Sequence, residues 1–426
     1  MKRSKAKLAV VAGAARGAAR APVVSASTPG ADPRPAARRS LPFETVALVL
    51  QGGGALGSYQ AGVCEGLAAA GIEPDWVAGI SIGALNSAVF AGNPPRTRVQ
   101  RLREFWETIC RPVPYLPPVE VMQKIIEQSG PAARKAFSAF AAWRAILEGQ
   151  NDFFAPRGVA PWLGAKQGVT QASYYDTTAL KSTLERFVDF DRINEGTVRV
   201  SVGAVNLRNG NFAYFDNTTG PARRKLRPEH FMASAALPPG FPAVEIEGEF
   251  YWDGGLVSNT PLQYVLEASP RRDTLAFQVD LWSARGSLPE NVYDVQERQK
   301  DIQFSSRTRA VTDSMAGTQH YRRMLREVLE HVPPKVRATD PWCRQAQQHA
   351  CERRYAVIHL IYQDKEWEGQ SKDYEFSPQS MREHWSSGRV DIEKTLGNAS
   401  WLELPADDAE FVTYDLHREA TARIRS

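Results

Sequence analysis

Short apolar runs recur along the chain with almost no polar alternation inside them. The run at Val46–Leu50 is typical of a strand covered on both faces of a parallel sheet, and we expect it to be the central strand. Further strands are predicted at Thr197–Val205, Leu275–Leu281 and Tyr355–Tyr362. A helical pattern over Ser58–Ala70 follows the first run and ends at a glycine suited to a C-cap. The first strand and helix are therefore expected to open a parallel βαβ unit.

A glycine-rich segment, Gln51–Gly57, joins this strand to this helix. Three successive residues without side chains let backbone N–H groups approach a negative oxygen closely, as in an anion cradle. A nucleotide-binding loop is the competing interpretation, but the segment lacks the Lys-Ser/Thr of a P-loop and the third glycine of a dinucleotide fingerprint. The pattern favours an oxyanion hole.

A serine stands between two glycines some thirty residues later, in Gly79–Gly83. An apolar strand is expected to turn sharply into a helix here, and small flanking residues leave room for such a turn. The turn holds the hydroxyl of Ser81 outward, and the helix after it directs unpaired N–H groups toward a developing oxyanion. Because both turns follow neighbouring strands of a βαβ unit, loop and serine should meet at one edge of the sheet.

Between Asn93 and Asp176 helical patterns replace the strand pattern. Phe137, Phe140, Trp143 and Leu147 lie on or near one stripe of a predicted helix. One interpretation is an insertion whose aromatic residues pack on the sheet. The other is a lid or acyl-chain-binding cap, and the two are compatible.

Strands return after this insertion and lead to a second candidate residue. Phe212–Phe215 is predicted to form a hairpin with the strand before it through Asn209-Gly210. Val244–Tyr251 reads as a strand interrupted at Gly248, and it delivers Asp253 followed by two glycines. Such an aspartate is either part of a plain turn or the partner of the serine.

Charge is unevenly distributed along the 426 residues, whose formal net charge is +4. Residues 1–40 hold nine Lys or Arg and one Asp, so they carry +8 and the remainder carries −4. We expect a disordered basic tail, with a secretory signal as the alternative. The basic residues form no recognisable nucleic-acid-binding module. Peripheral contact with an anionic membrane stays open.

The four cysteines are too few and too scattered for a disulfide framework, which favours a reduced, cytoplasmic setting. Cys343, His349 and Cys351 lie close in sequence but lack a fourth partner at metal-ligand spacing. These residues indicate no metal site; no cofactor is expected either.

Three motifs together resemble those of patatin-like phospholipases: the loop Gly52–Gly57, the elbow Gly79–Gly83 and the turn Asp253–Gly255, in this order and at these separations. The segment Ser234–Pro238 strengthens the resemblance, which covers about Val46 to Leu266. It implies a three-layer α/β/α sandwich with a largely parallel central sheet. It also implies hydrolysis of lipid acyl esters by a Ser-Asp dyad without a metal.

Carried over by position, Ser81 is the nucleophile and Asp253 is the base. The oxyanion hole falls on three consecutive glycines, Gly52, Gly53 and Gly54. One departure is Leu56, which stands where many relatives carry Lys or Arg. An aspartate is ordinarily a weak base, with a pKa of about 3.9, so it must contact the serine in a pocket poor in water, where burial raises its pKa.

The predicted organisation is a basic tail at residues 1–42, a catalytic domain at 43–285 and a helical extension at 286–426 packed on the core. A helical cap is inserted at about 100–175. The predicted function is a hydrolase that releases fatty acid from lipid or acyl-ester substrates. One alternative is an α/β-hydrolase-type esterase with a Ser-Asp-His triad, for which His320 is the candidate. Another is a non-catalytic acyl-lipid-binding protein; oligomeric state is left open.

Overall fold

A computed structural model describes residues 39–111, 119–158, 168–218, 222–407 and 409–417. The predicted tail lies almost wholly outside these residues. The strands are β1 (Thr45–Leu50), β2 (Trp76–Gly79), β3 (Ala155–Pro156), β4 (Tyr175–Asp176), β5 (Arg199–Asn206), β6 (Phe212–Asp216), β7 (Val244–Ile246), β8 (Glu249–Asp253), β9 (Thr274–Asp280), β10 (Tyr355–Ile361) and β11 (Phe411–Asp415).

The helices are α1 (Ser58–Ala69), α2 (Ile82–Ala91), α3 (Pro95–Ile109), α4 (Val119–Glu148), α5 (Thr178–Phe187), α6 (Phe190–Glu195), α7 (Pro228–Ser234), α8 (Leu262–Leu266), α9 (Val292–Glu330), α10 (Pro334–Thr339), α11 (Pro341–His349) and α12 (Pro378–Leu396). Short 3-10 turns lie at Gly54–Gly57, Gly254–Leu256, Lys372–Tyr374 and Ala399–Leu402. No helix among the described residues is both long and apolar enough to cross a membrane.

Within the described residues, nine strands form one sheet in the order β11-β10-β9-β1-β2-β5-β8-β7, and β6 pairs with β5. The strands from β11 to β5 are parallel, whereas β6, β7 and β8 are antiparallel additions. β1 lies in the interior of the sheet, as its unbroken apolar run predicted. The two strands from the C-terminal third, β10 and β11, extend the same sheet beyond β9.

Both faces of β1 are covered. Leu48 and Leu50 pack into a large core with residues of α1, α2, α3 and α12. Ala47 and Val49 point the other way and pack with residues of α8 and α9. Alternate residues of one strand thus bury in two separate cores, as the period of two requires. The three-layer α/β/α sandwich is confirmed.

Two glycines let α1 and α12 cross closely. A Cβ at Gly62 would overlap the carbonyl oxygen of Trp385, and a Cβ at Gly388 would overlap that of Tyr59. Beside this crossing, the Tyr59 hydroxyl donates to an Asp391 carboxylate oxygen at 2.9 Å. The C-terminal third is therefore packed backbone to backbone against the helix that follows the glycine-rich loop.

Two elements differ in detail from the sequence predictions. The segment predicted as one interrupted strand is a hairpin of β7 and β8, because Glu247 and Gly248 both have positive φ, at 54° and 82°. The aromatic stripe on α4, which is broken at Gly130, does not pack on the sheet: Phe140 and Trp143 are 47% and 57% exposed. The predicted hairpin of β5 and β6 is confirmed.

Candidate active site

Ser81 stands between β2 and α2 in a strained backbone conformation. Its φ of 55° and ψ of −126° belong to a region that residues with a side chain rarely adopt, at a cost of roughly 1–3 kcal/mol. A Cβ at Gly79 would overlap the backbone of Gly83, and one at Gly83 would overlap the carbonyl of Leu50. The two glycines flanking the serine are thus required for the turn to close. The Ser81 N–H donates to the hydroxyl of Ser234 at 3.1 Å.

The edges of β5 explain why Asp253 lies beside this serine. β6 pairs with residues 201–205 of β5 and so fills one edge of that strand. β2 pairs with residues 199–202 and β8 with residues 204–206, so both must use the opposite edge. Gly79 is opposite Val202 and Asp253 is opposite Ala204, a spacing of roughly 7 Å along the strand. The C-terminal ends of β2 and β8, which are distant in sequence, therefore face one another along β5.

The environment of Asp253 suits a base that works near neutral pH. Its side chain is buried, at 1% exposure, and burial raises its pKa to about 7. Hydrogen bonds from the Ser81 side chain and the Gly255 N–H oppose this rise, because they favour the charged carboxylate. The Gly255 N–H lies 2.7 Å from the carboxylate oxygen Oδ1.

The glycine-rich loop does not present three equivalent donors. The Gly52 N–H donates to the carbonyl of Asn259 at 3.3 Å, while its own carbonyl accepts from Asn259 Nδ2 and Trp282 Nε1, both at 2.9 Å. The N–H groups of Gly53 and Gly54 donate no hydrogen bond within the described part of the chain. The N–H of Gly52, predicted as an oxyanion donor, is thus already engaged by Asn259 in this structure, and a Cβ at Gly52 would crowd the Cβ of Ser81.

One cavity of about 340 Å³ contains the serine, the aspartate and the three glycines. Its remaining walls are mainly apolar and come from all parts of the sandwich. The insertion supplies Phe153 and Phe154, and the C-terminal third supplies Tyr374 and Phe376. Such a volume lies within the range of small-molecule sites, and Ser81 and Asp253 are among its few polar lining residues. None of the described residues that line it is a histidine.

The family profile described as patatin-like phospholipase matches residues 48–266, just over half of the chain. The chain belongs to the patatin-like phospholipase family. A second profile, described as patatin phospholipase, matches residues 302–408. The resemblance drawn from the three motifs is thus confirmed, and the chain is a lipid hydrolase.

Two solved structures are similar to this patatin-like chain at low identity. The crystal structure of VipD from Legionella pneumophila is 14% identical, with a TM-score of 0.35, over 85% of this chain and 71% of that one. The ExoU–SpcU complex from the type III secretion system of Pseudomonas aeruginosa gives 16% identity and a TM-score of 0.25. That match covers 73% of this chain and 60% of the matched chain in the complex. No curated protein sequence matches.

The histidine considered for a triad lies elsewhere in the patatin-like chain. His320 belongs to α9, its side chain is 67% exposed, and its Nδ1 is 2.7 Å from Glu410 Oε1. It is not among the residues that line the cavity. Within the described residues, no group of three or more His, Cys, Asp or Glu could hold a metal ion.

Three residues that support the site were not singled out from the sequence as functional. The buried amide of Gln51 accepts from the N–H groups of Leu281 and Trp282, at 2.7 Å and 3.0 Å. Asn259 holds Gly52 from both sides. Ser234, besides accepting from Ser81, donates to the carbonyl of Gly203 at 2.6 Å. The position of Gln51 beside the loop and that of Ser234 in the segment Ser234–Pro238 were the available signals, whereas Asn259 lies far in sequence from the glycine that it holds.

Proposed function

We propose that the protein hydrolyses acyl esters of lipids through an acyl-enzyme on Ser81, with Asp253 as the sole base. The observation that carries this proposal is the pairing of a strained serine with a buried aspartate of raised pKa in a cavity lined by apolar groups. The absence of a histidine from the described lining supports a dyad over a triad.

In the first half of the reaction, the Ser81 oxygen attacks the ester carbonyl and its proton passes to Asp253. The N–H groups of Gly53 and Gly54 stabilise the oxyanion of the tetrahedral intermediate. Collapse of that intermediate breaks the bond to the alcohol, which leaves with the proton from Asp253. In the second half, water attacks the acyl-enzyme, Asp253 takes a proton from the water and returns it to Ser81, and the fatty acid is released.

Ser234 has a positioning role in this scheme. Its hydroxyl accepts from the Ser81 N–H and donates to the Gly203 carbonyl on β5, so it links the strained turn to the strand with which Asp253 of β8 pairs. Because the hydroxyl satisfies a donor and an acceptor together, its position is fixed from both sides. The Ser81 turn and Asp253 are thus both positioned relative to β5.

The test compares Ser81→Ala and Asp253→Asn with the wild type on a soluble activated ester. Both variants should lose turnover by a factor of about 10³ or more and should remain folded, because neither adds volume. The control is His320→Ala, which should retain wild-type activity. A fluorophosphonate should label the wild type at Ser81. Activity in Asp253→Asn, or its loss in His320→Ala, would assign the base to another residue, and failure to label Ser81 would favour a lipid-binding protein.

A further inference from the structure

The second half of α4 exposes apolar side chains on its outer face. Between residues 136 and 147, all the exposed residues are apolar: Ala136, Ala139, Phe140, Trp143, Ile146 and Leu147. These six residues are here called the α4 apolar face. The rings of Phe140 and Trp143 stack on one another, with centroids 6.3 Å apart, and Leu147 is 53% exposed. The face is a continuous stripe at helical spacing.

The inner face of the same helix is anchored by a charged residue. Arg134 is only 5% exposed, and its guanidinium donates to the Ser380 hydroxyl at 2.7 Å and to Glu383 at 2.8 Å, both on α12. A buried cation that lost these partners would be strongly disfavoured, so the helix cannot roll to bury its aromatic side. The hydrogen bonds of Arg134 therefore keep the aromatic side of α4 turned outward.

The α4 apolar face runs into the mouth of the cavity. Ile146 belongs to both, because it lines the cavity and is 45% exposed. Tyr174 likewise lines the cavity at 46% exposure. The Tyr175 hydroxyl donates to the Ile146 carbonyl at 2.7 Å, which joins the helix end to the opposite rim. The apolar surface thus continues from solvent into the proposed acyl site.

We propose that the α4 apolar face docks the enzyme on a lipid bilayer surface, with the cavity mouth turned toward the acyl chains. The inference rests on the proposed lipid-ester hydrolysis. Tryptophan, phenylalanine and leucine on one helix face are suited to the boundary between head groups and acyl chains. The only charged side chains from 136 to 148 are Arg144 and Glu148, which pair with each other, so few charges are desolvated on docking.

The test measures partition onto phosphatidylcholine vesicles at high salt. These vesicles carry no net charge and salt screens charge attraction, so the basic tail does not contribute to binding. All proteins carry Ser81→Ala, so the vesicles stay intact. The double variant Phe140→Ser/Trp143→Ser should lower the partition coefficient about tenfold or more. The matched control, Tyr321→Ser/Trp342→Ser, removes two aromatic residues of greater exposure, 66% and 78%, and should leave partition unchanged.

When the wild-type Ser81 is retained, Phe140→Ser/Trp143→Ser should keep its activity on a soluble short-chain ester, because neither side chain lines the cavity. Unchanged partition would overturn the proposal, as would an equal fall in the control pair. A change of oligomeric state without a change in partition would assign the face to a second copy. Failure of the proposed chemistry would appear separately, as ester turnover by the Ser81→Ala protein.

Discussion

As the proposed base, Asp253 must meet two demands that oppose one another in water. A base must be charged to accept a proton, and a residue in an apolar cavity is more stable when neutral. Burial raises its pKa to about 7, so the carboxylate form is available near neutral pH while the proton affinity is far above that of an ordinary aspartate. We therefore expect kcat/KM on a soluble ester to rise with pH through one ionisation near 7 and then level off. A flat profile between pH 5 and 9 would contradict this.

The same pKa makes a prediction about stability. Between the ordinary pKa of about 3.9 and the raised value of about 7, the folded chain holds a proton that the unfolded chain has released. The free energy of unfolding therefore decreases as pH rises through this window. Asp253→Asn keeps the site neutral, so its Tm should exceed that of the wild type at pH 8, with a smaller difference at pH 5. Equal differences at both values would mean that the pKa is not raised.

The parts of the site that could be predicted are those held by residues close to one another in sequence. The Ser81 turn is set by glycines two residues away, and the sequence displays them. The anchoring of Gly52 is not local, since Asn259 lies 207 residues further along the chain. An asparagine far from any motif looks like many others, and only the folded sheet brings it to the loop. The unequal roles of the three glycines were therefore hidden.

Among the connecting elements, the glycine-rich loop is shaped by a turn from the C-terminal third. Gly54 has a φ of 57°, and a Cβ there would overlap the carbonyl oxygen of Asp373 in the 3-10 turn at Lys372–Tyr374. That turn is held in place by Lys300 of α9, whose ammonium group is 2.7 Å from an Asp373 carboxylate oxygen. The loop is therefore confined at Gly54 by this turn.

This packing predicts that Gly54→Ala lowers kcat by about 10²-fold or more with little change in KM, because the displaced N–H groups are the proposed donors to the transition state. The control is Gly210→Ala, which has a φ of 70° and no atom within 4 Å of the added Cβ. It shares the backbone strain of roughly 1–2 kcal/mol without the collision. Steady-state kinetics and thermal melts separate the two effects, and equal kinetic losses would contradict the role of the turn.

The helix α4 shows what a periodic pattern leaves undetermined. The sequence predicts a stripe of aromatic residues, and this stripe is present. A stripe alone does not say whether it faces the core or the solvent. Here Arg134 decides, because its partners Ser380 and Glu383 lie on a helix nearly 250 residues later. The hairpin of β7 and β8 was missed for a simpler reason: a glutamate with positive φ gives no signal in the sequence.

Across the whole molecule, the C-terminal third completes the sheet and the site. β10 pairs with β9 over seven residues, and Tyr374 and Phe376 line the cavity. Residues 39–285 expressed alone should therefore lack activity, since β9 would expose an unpaired edge and the cavity would lose a wall. A protease site placed at Leu288, which is 89% exposed, allows the chain to be cut after folding. The cut protein should stay associated and active, whereas full activity in the isolated 39–285 fragment would contradict this account.

The distance along the chain between the glycine-rich loop and the turn at Lys372–Tyr374 also has a consequence during synthesis. A ribosome adds residues in order, so the serine, the aspartate and the loop all emerge long before the segment that confines the loop. A nascent chain that is released before residue 374 lacks the wall formed by Tyr374 and Phe376. We therefore expect a growing chain to gain hydrolytic competence only after the segment with Lys372–Tyr374 has emerged and packed against the loop.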